Sequence, residues 1–130
     1  MREPTATSRS AHPFGTIVSS SNPISSKNIP VFPCVDVGHT ARAGRDPAQA
    51  IRDCRERLYD VHLKDVANPQ QRGPEVELGR GHLDVRAILQ ALAETQFAYH
   101  VGLEHEKDPR DPLPGLAESA GYAKGLVRTL

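Results

Sequence analysis

The stretch VFPCVDVGHTARAGRDPAQAIRDCRERLYDVHLKD, residues 31–65, decides the fold. It opens with a short, mostly apolar run, VFPCVDV (31–37), of the kind a buried parallel strand shows. Pro33 weighs against a central strand, because proline is kept to strand starts and edges. Asp46-Pro47 then has the form of a helix start, with Asp as N-cap, Pro at the first helical position and Gln49 three residues after the cap. Ile51, Cys54 and Leu58 follow on one face at helical spacing. Tyr59 to Lys64 reads as a second strand. A strand, a helix and a strand in succession imply parallel pairing through a right-handed crossover.

The same grammar continues to the C-terminus. Asp84 is placed to cap a helix carrying Val85, Ile88, Leu89 and Leu92 on one side, and Tyr99 to Glu106 reads as a third strand. Asp111-Pro112 repeats the cap-plus-proline opening, with Leu113, Leu116, Ala120 and Leu126 or Val127 as the apolar stripe of the last helix. Three β-α units in a row specify an α/β fold with a parallel sheet. No close internal sequence repeat accompanies them. Residues 1–30 differ sharply: they are rich in Ser and Thr, hold Pro4, Pro13, Pro23 and Pro30, and lack periodic apolar residues. Such a stretch cannot bury enough apolar surface to offset its ordering entropy, so a flexible or poorly ordered lead-in is expected there, with the domain over 31–130.

Composition narrows the class. The chain has 130 residues, whereas a complete (β/α)₈ barrel takes about 250. Sixteen Lys and Arg balance sixteen Asp and Glu, so there is no long-range pull on phosphate backbones or anionic lipid. Neither a nucleic-acid nor a membrane partner is expected. Cys34 and Cys54 are too few for a disulfide scaffold and read as small core residues. No apolar run approaches the ~20 residues of a membrane span. Met1 to Ser10 is polar and Phe14 to Val18 is too short for a signal-peptide core, so a cytoplasmic protein is expected.

Strand side chains alternate between faces. Tyr59, Val61 and Leu63 share one face of the second strand, and Asp60, His62 and Lys64 the other. In the third strand Tyr99, Val101 and Leu103 oppose His100, Gly102, Glu104 and Glu106; in the first, Asp36 lies with Cys34 and Phe32. Each strand therefore sets one ionisable group on a common face near its C-terminal end: Asp36, His62 and Glu104. That is where α/β sheets and barrels bind ligands. Carboxylate oxygen with imidazole nitrogen suits Mn²⁺, Zn²⁺, Co²⁺ or Fe²⁺, while all-oxygen sites favour Mg²⁺. His39, just past the first strand, is a further ligand or a substrate contact. Asp65 is placed to fix the imidazole tautomer of His62. Against these stand plainer readings: Lys64 and Asp65 as a surface pair, Gly79-Arg80-Gly81 as a plain turn, Arg42 and Arg45 as a solvated loop, and His105 and Glu106 as solvated strand-end groups.

These segments resemble a known family. Asp36-Val-Gly-His39 with Ala43-Gly44 is similar to a strand and loop of the sugar phosphate isomerase/epimerases, which are xylose isomerase-like TIM barrels. Val61-His62-Leu63-Lys64-Asp65 resembles the next strand, Leu78-Gly79-Arg80-Gly81 with Leu83-Asp84 the following turn, and Gly102-Leu103-Glu104-His105-Glu106 the last strand. The resemblance covers residues 31–130 and implies the C-terminal half of a (β/α)₈ barrel, with the N-terminal half absent. It implies a divalent metal (Mn, Zn, Co or Mg) held by Asp36, His62 and Glu104 and a fourth ligand, a glutamate, without a counterpart in residues 1–30, where Glu3 is the only Glu. It further implies Glu104 as one member of an acid/base pair acting on either face of a sugar or sugar phosphate, with His39 and Lys64 binding the substrate. Two other readings stay open. One is a non-catalytic barrel remnant, a self-pairing module completed by a second copy or a complementing chain. The other is the related type IV apurinic endonuclease branch, for which Pro74-Glu75-Val76-Glu77 and His82-x-Asp84 are poor matches to the expected zinc pair.

Overall fold

The computed structural model describes residues 32–130, so the lead-in expected over 1–30 lies outside the described residues. Residues Val31–Leu130 form one compact unit. In chain order its elements are β1 (Cys34–Asp36), α1 (Val37–Arg42), α2 (Pro47–Cys54), β2 (Asp60–Leu63), β3 (Asp65–Val66), β4 (Glu75–Val76), α3 (Val85–Glu94), β5 (His100–Leu103) and α4 (Leu113–Val127). β1, β2 and β5 make a parallel sheet in that order, with Val35 beside Val61 and Val61 beside Val101. The expected partial α/β barrel is therefore present as an open three-stranded sheet, and no barrel closes among the described residues.

The helix-facing side of the sheet carries Val35, Val61 and Leu63. They pack with Val37, Ile51, Leu58, Val85, Ile88, Leu89, Ala91 and Leu92 into one apolar core. Asp46 caps α2 by accepting from the Ala48 N–H, and Asp84 caps α3 by accepting from the Ala87 N–H, as their placement before each helix implies. Gln49 does not close a capping box; its side-chain amide turns to Asp53. Tyr59 and Tyr99 leave the apolar faces assigned to them. With exposed Phe32 and with Phe97, which is partly buried against the core, they form a chain of aromatic contacts at the N-terminal ends of the strands, ring centroids 5.0–6.1 Å apart.

Several expectations are corrected. The first strand is short because Pro33 precedes it and Val37 already begins α1, a helix in a segment read as loop. Asp36 starts that helix, accepting from the His39 N–H at 2.8 Å. A small antiparallel hairpin, β3–β4, was not expected at all. Asp111 does not cap α4, whose N-cap is Pro112 and makes no side-chain hydrogen bond. The apolar stripe of α4 is realised only in part: Leu126 packs against the core and Leu116 and Ala120 are half-buried, but Leu113 is 72% exposed and Val127 is exposed, while Gly115 and Ser119 are the buried positions. α4 packs its small residues inward because His105 fills the space a Gly115 Cβ would need, and because Ser119 Oγ accepts from the Leu78 N–H at 3.1 Å. Cys34 is exposed rather than a core residue, and Cys54 is partly buried against the core. Among the described residues no helix is long and apolar enough to cross a membrane.

Candidate metal centre

Parallel register sets side chains of the open face in rungs. Cys34, Asp60 and His100 occupy one rung across the three strands; Asp36, His62 and Gly102 occupy the next. Glu104 follows β5 directly, its N–H donating to Leu63 O at 2.9 Å and so continuing the ladder. The structure thus brings together the three ligand residues expected from the alternation of the strands. One donor atom from each of Asp36, His62 and Glu104 lies within 4.8 Å of the others. His62 Nδ1 is 3.2 Å from Glu104 Oε1 and 3.9 Å from Asp36 Oδ2.

Lys64 is the main revision. It is neither paired with Asp65 nor on the surface: its side chain is 3% exposed, and Nζ lies 3.0 Å from Asp36 Oδ2, 3.1 Å from Glu75 Oε1 and against Glu104 Oε2. Its stem runs over Gly38, where a Cβ would meet Lys64 Cδ at 2.6 Å, so the glycine is needed for the lysine to reach its partners. Burial works against the ammonium, but the contacts with Glu104, Asp36 and Glu75 outweigh it and hold its pKa well above the ordinary value. Burial likewise raises Asp36, and the His39 N–H and Lys64 reverse this, leaving its carboxyl below the usual value. The two oxygens of Asp36 divide the work: Oδ1 caps α1 and Oδ2 faces Lys64.

Glu75 is a member of this cluster that sequence reasoning passed over. It is buried on β4, pairs with Lys64, and accepts from the Glu106 N–H at 2.9 Å. Its neighbour in sequence, Glu77, instead binds Lys107 at 2.9 Å. His39 is exposed, with Nε2 3.7 Å from Asp36 Oδ2. It shares a depression of about 460 Å³ with Arg42, Ala43 and Arg72.

Asp65 does not orient His62. It is fully buried, and its carboxylate accepts from four backbone N–H groups: Val66 and Leu83 on Oδ1 at 2.9 and 3.0 Å, Gly79 and Gly81 on Oδ2 at 3.0 and 2.9 Å. The Gly79-Arg80-Gly81 turn therefore cradles an anion, which is the chain's own carboxylate. Gly79 has φ 85°, and a Cβ on Gly81 would strike Asp65.

The donor set fits a divalent cation. Three carboxylates (Asp36, Glu75, Glu104) face one ammonium, which leaves two negative charges for a dication to balance. Glu75 Oε1 and Glu104 Oε2 are buried and accept no well-aligned hydrogen bond; the ion pair with Lys64 is what meets their charge. Mixed oxygen and nitrogen donors match Mn²⁺, Co²⁺ or Zn²⁺ better than Mg²⁺.

Comparison with known proteins agrees with this architecture. The sequence pattern of the xylose isomerase-like TIM barrels matches residues 14–126. An inosose dehydratase of Clostridium botulinum is 26% identical over 112 residues, covering 72% of this chain and 37% of that enzyme. An inosose dehydratase of Clostridium perfringens is 24% identical over 136 residues, covering 87% and 46%. A solved xylose isomerase domain protein from Planctomyces limnophilus is similar with a TM-score of 0.63 at 26% identity, over 73% of this chain and 37% of that one. L-ribulose 3-epimerase shares the fold with a TM-score of 0.56 at 19% identity, over 74% and 37%. The chain spans less than half the length of the curated relatives it matches. Since the family pattern covers most of its length, the chain belongs to the xylose isomerase-like TIM barrel family.

Proposed function

We propose that these residues form part of the active-site mouth of a cytoplasmic sugar-modifying enzyme, in which Asp36, His62 and Glu104 hold a divalent cation. The observation that carries this reading is their convergence from three strands around a cluster with two uncompensated negative charges. A dehydratase, an isomerase and an epimerase acting beside a carbonyl share a first step, removal of a proton from the adjacent carbon. A bound cation would polarise that carbonyl. Glu104 takes the proton, and Lys64, held against it, keeps the carboxylate oriented. His39 meets the substrate at the rim. Arg42 and Arg72, lining the depression beside it, suit a phosphate substituent, which favours a sugar phosphate over a neutral sugar.

Epimerisation needs two bases, but exchange of the proton with solvent needs one. The chain with Mn²⁺ in D₂O is therefore expected to exchange the hydrogen beside the carbonyl of a ketose phosphate, followed by NMR. Glu104→Gln should slow this at least about 100-fold, the lower range for a positioned general base. A folded, Mn²⁺-binding chain with no exchange above the free-metal rate would overturn the catalytic reading in favour of a non-catalytic barrel remnant.

A further inference from the structure

The rung below the candidate centre carries a second constellation. Cys34, Asp60 and His100 are lateral neighbours on β1, β2 and β5, all on the open face. One donor atom each from Cys34, Asp60 and His62 lies within 4.8 Å of the others. Asp60 is the hub: Oδ2 is 3.6 Å from His62 Nε2, Oδ1 is 3.5 Å from His100 Nδ1, and Oδ1 also accepts from the Val61 N–H at 2.9 Å. His100 is 81% exposed, so its ring is free to turn toward a ligand. We propose that Cys34, Asp60 and His62 Nε2, with His100 as the fourth donor, form a thiolate zinc site distinct from the Asp36–His62–Glu104 centre.

The donor chemistry separates the two rungs. Sulfur, two imidazole nitrogens and one carboxylate oxygen make a set for Zn²⁺ or Co²⁺, whereas Mg²⁺ and Ca²⁺ prefer oxygen alone. The site also draws on His62 from the opposite side of its ring. Zinc on Nε2 leaves the hydrogen on Nδ1, directed at Glu104 Oε1, where a cation in the upper rung needs a lone pair. On the reading of the upper rung proposed above, the two sites compete for one imidazole. The lower site does not depend on that reading.

Co²⁺ provides the test, because thiolate ligation gives a sulfur-to-cobalt charge-transfer band. The wild-type chain should develop this band on titration with Co²⁺ and lose it on addition of Zn²⁺. Cys34→Ser, at an exposed position and with Cys54 retained, should abolish the band while leaving the far-ultraviolet circular dichroism unchanged. Asp60→Asn and His100→Ala should each weaken Co²⁺ binding at least about tenfold, no less than the loss of a group that merely supports a ligand. Asp36→Asn, which disables only the upper rung, should leave the band intact. A wild-type chain without the band overturns the zinc site, as does a band that survives Cys34→Ser. Failure of the upper centre would instead show as lost Mn²⁺ binding with the cobalt band preserved.

Discussion

Lys64→Met is expected to cost the folded chain about 3 kcal/mol at neutral pH, the lower range for removing one partner of a buried ion pair. Methionine keeps the bulk of the stem over Gly38 but leaves Asp36, Glu75 and Glu104 facing one another without a cation. The lower end of the range applies because Asp36 and Glu104 keep some contact with water, which screens their repulsion. Two further results identify the mechanism. Acidification toward the carboxyl range should relieve part of the loss, since protonation removes the repulsion. Mn²⁺ should bind the variant more tightly than the wild type, because the cluster then carries three uncompensated charges rather than two. Urea titrations across pH, with and without Mn²⁺, measure all three effects.

In the wild type the same cluster fixes the direction of the pH dependence. Asp36 has a lowered pKa, so its contribution is present above the ordinary value of 3.8 and is lost as pH falls through its lower folded value. Lys64 has a raised pKa, so its contribution is full below the ordinary value of 10.5 and is lost as pH rises through the higher folded value.

Asp65→Ala should be more damaging still. Four backbone N–H groups converge on this fully buried carboxylate, and its removal strands donors in the Gly79–Leu83 turn as well as at Val66. At about 1–3 kcal/mol for a buried donor left unpaired, with the Val66 N–H buried and those of Gly79, Gly81 and Leu83 only partly so, the loss is about 4 kcal/mol. A small domain has only about 5–15 kcal/mol in total. The melting temperature should fall by about 16–32 °C, taking about 4–8 °C per kcal/mol. Asp65→Asn should not rescue it, because the amide nitrogen would present hydrogens to the Gly79 and Gly81 N–H groups, or to those of Val66 and Leu83 if the amide is reversed. A thermal melt of the two variants checks this, and a near-wild-type melt for either would show that the turn holds without its anion.

The contrast between Asp65 and Lys64 shows what local sequence can reveal. Asp84 before an apolar helical stripe, and Val61 and Leu63 alternating with Asp60 and His62, are local patterns, and each is realised in the structure. The Asp36–His62–Glu104 convergence was legible for the same reason: strand alternation and parallel pairing put strand ends together. Lys64 was legible as a polar-face residue, but its ion pairs were not, because its partners on β1, on β4 and after β5 lie elsewhere in the sequence. Glu75 stayed hidden because β3–β4 is too short to show a period. The α4 stripe was legible only in part: Leu126 meets the core, but Leu113 and Val127 are exposed, and the helix is also held by what Gly115 leaves room for and by the Ser119 hydroxyl.

As proposed above, Asp36, His62 and Glu104 hold a divalent cation in the folded chain. A thermal melt followed by circular dichroism, with and without excess Mn²⁺, on the wild type and on Asp36→Ala, tests it most directly. A cation that binds only the folded form adds about 2.7 kcal/mol at a hundredfold excess over its dissociation constant. The melt should be cooperative, moving upward with Mn²⁺ in the wild type and not moving in Asp36→Ala. A wild-type melt indifferent to Mn²⁺, or an equal shift in Asp36→Ala, would contradict it.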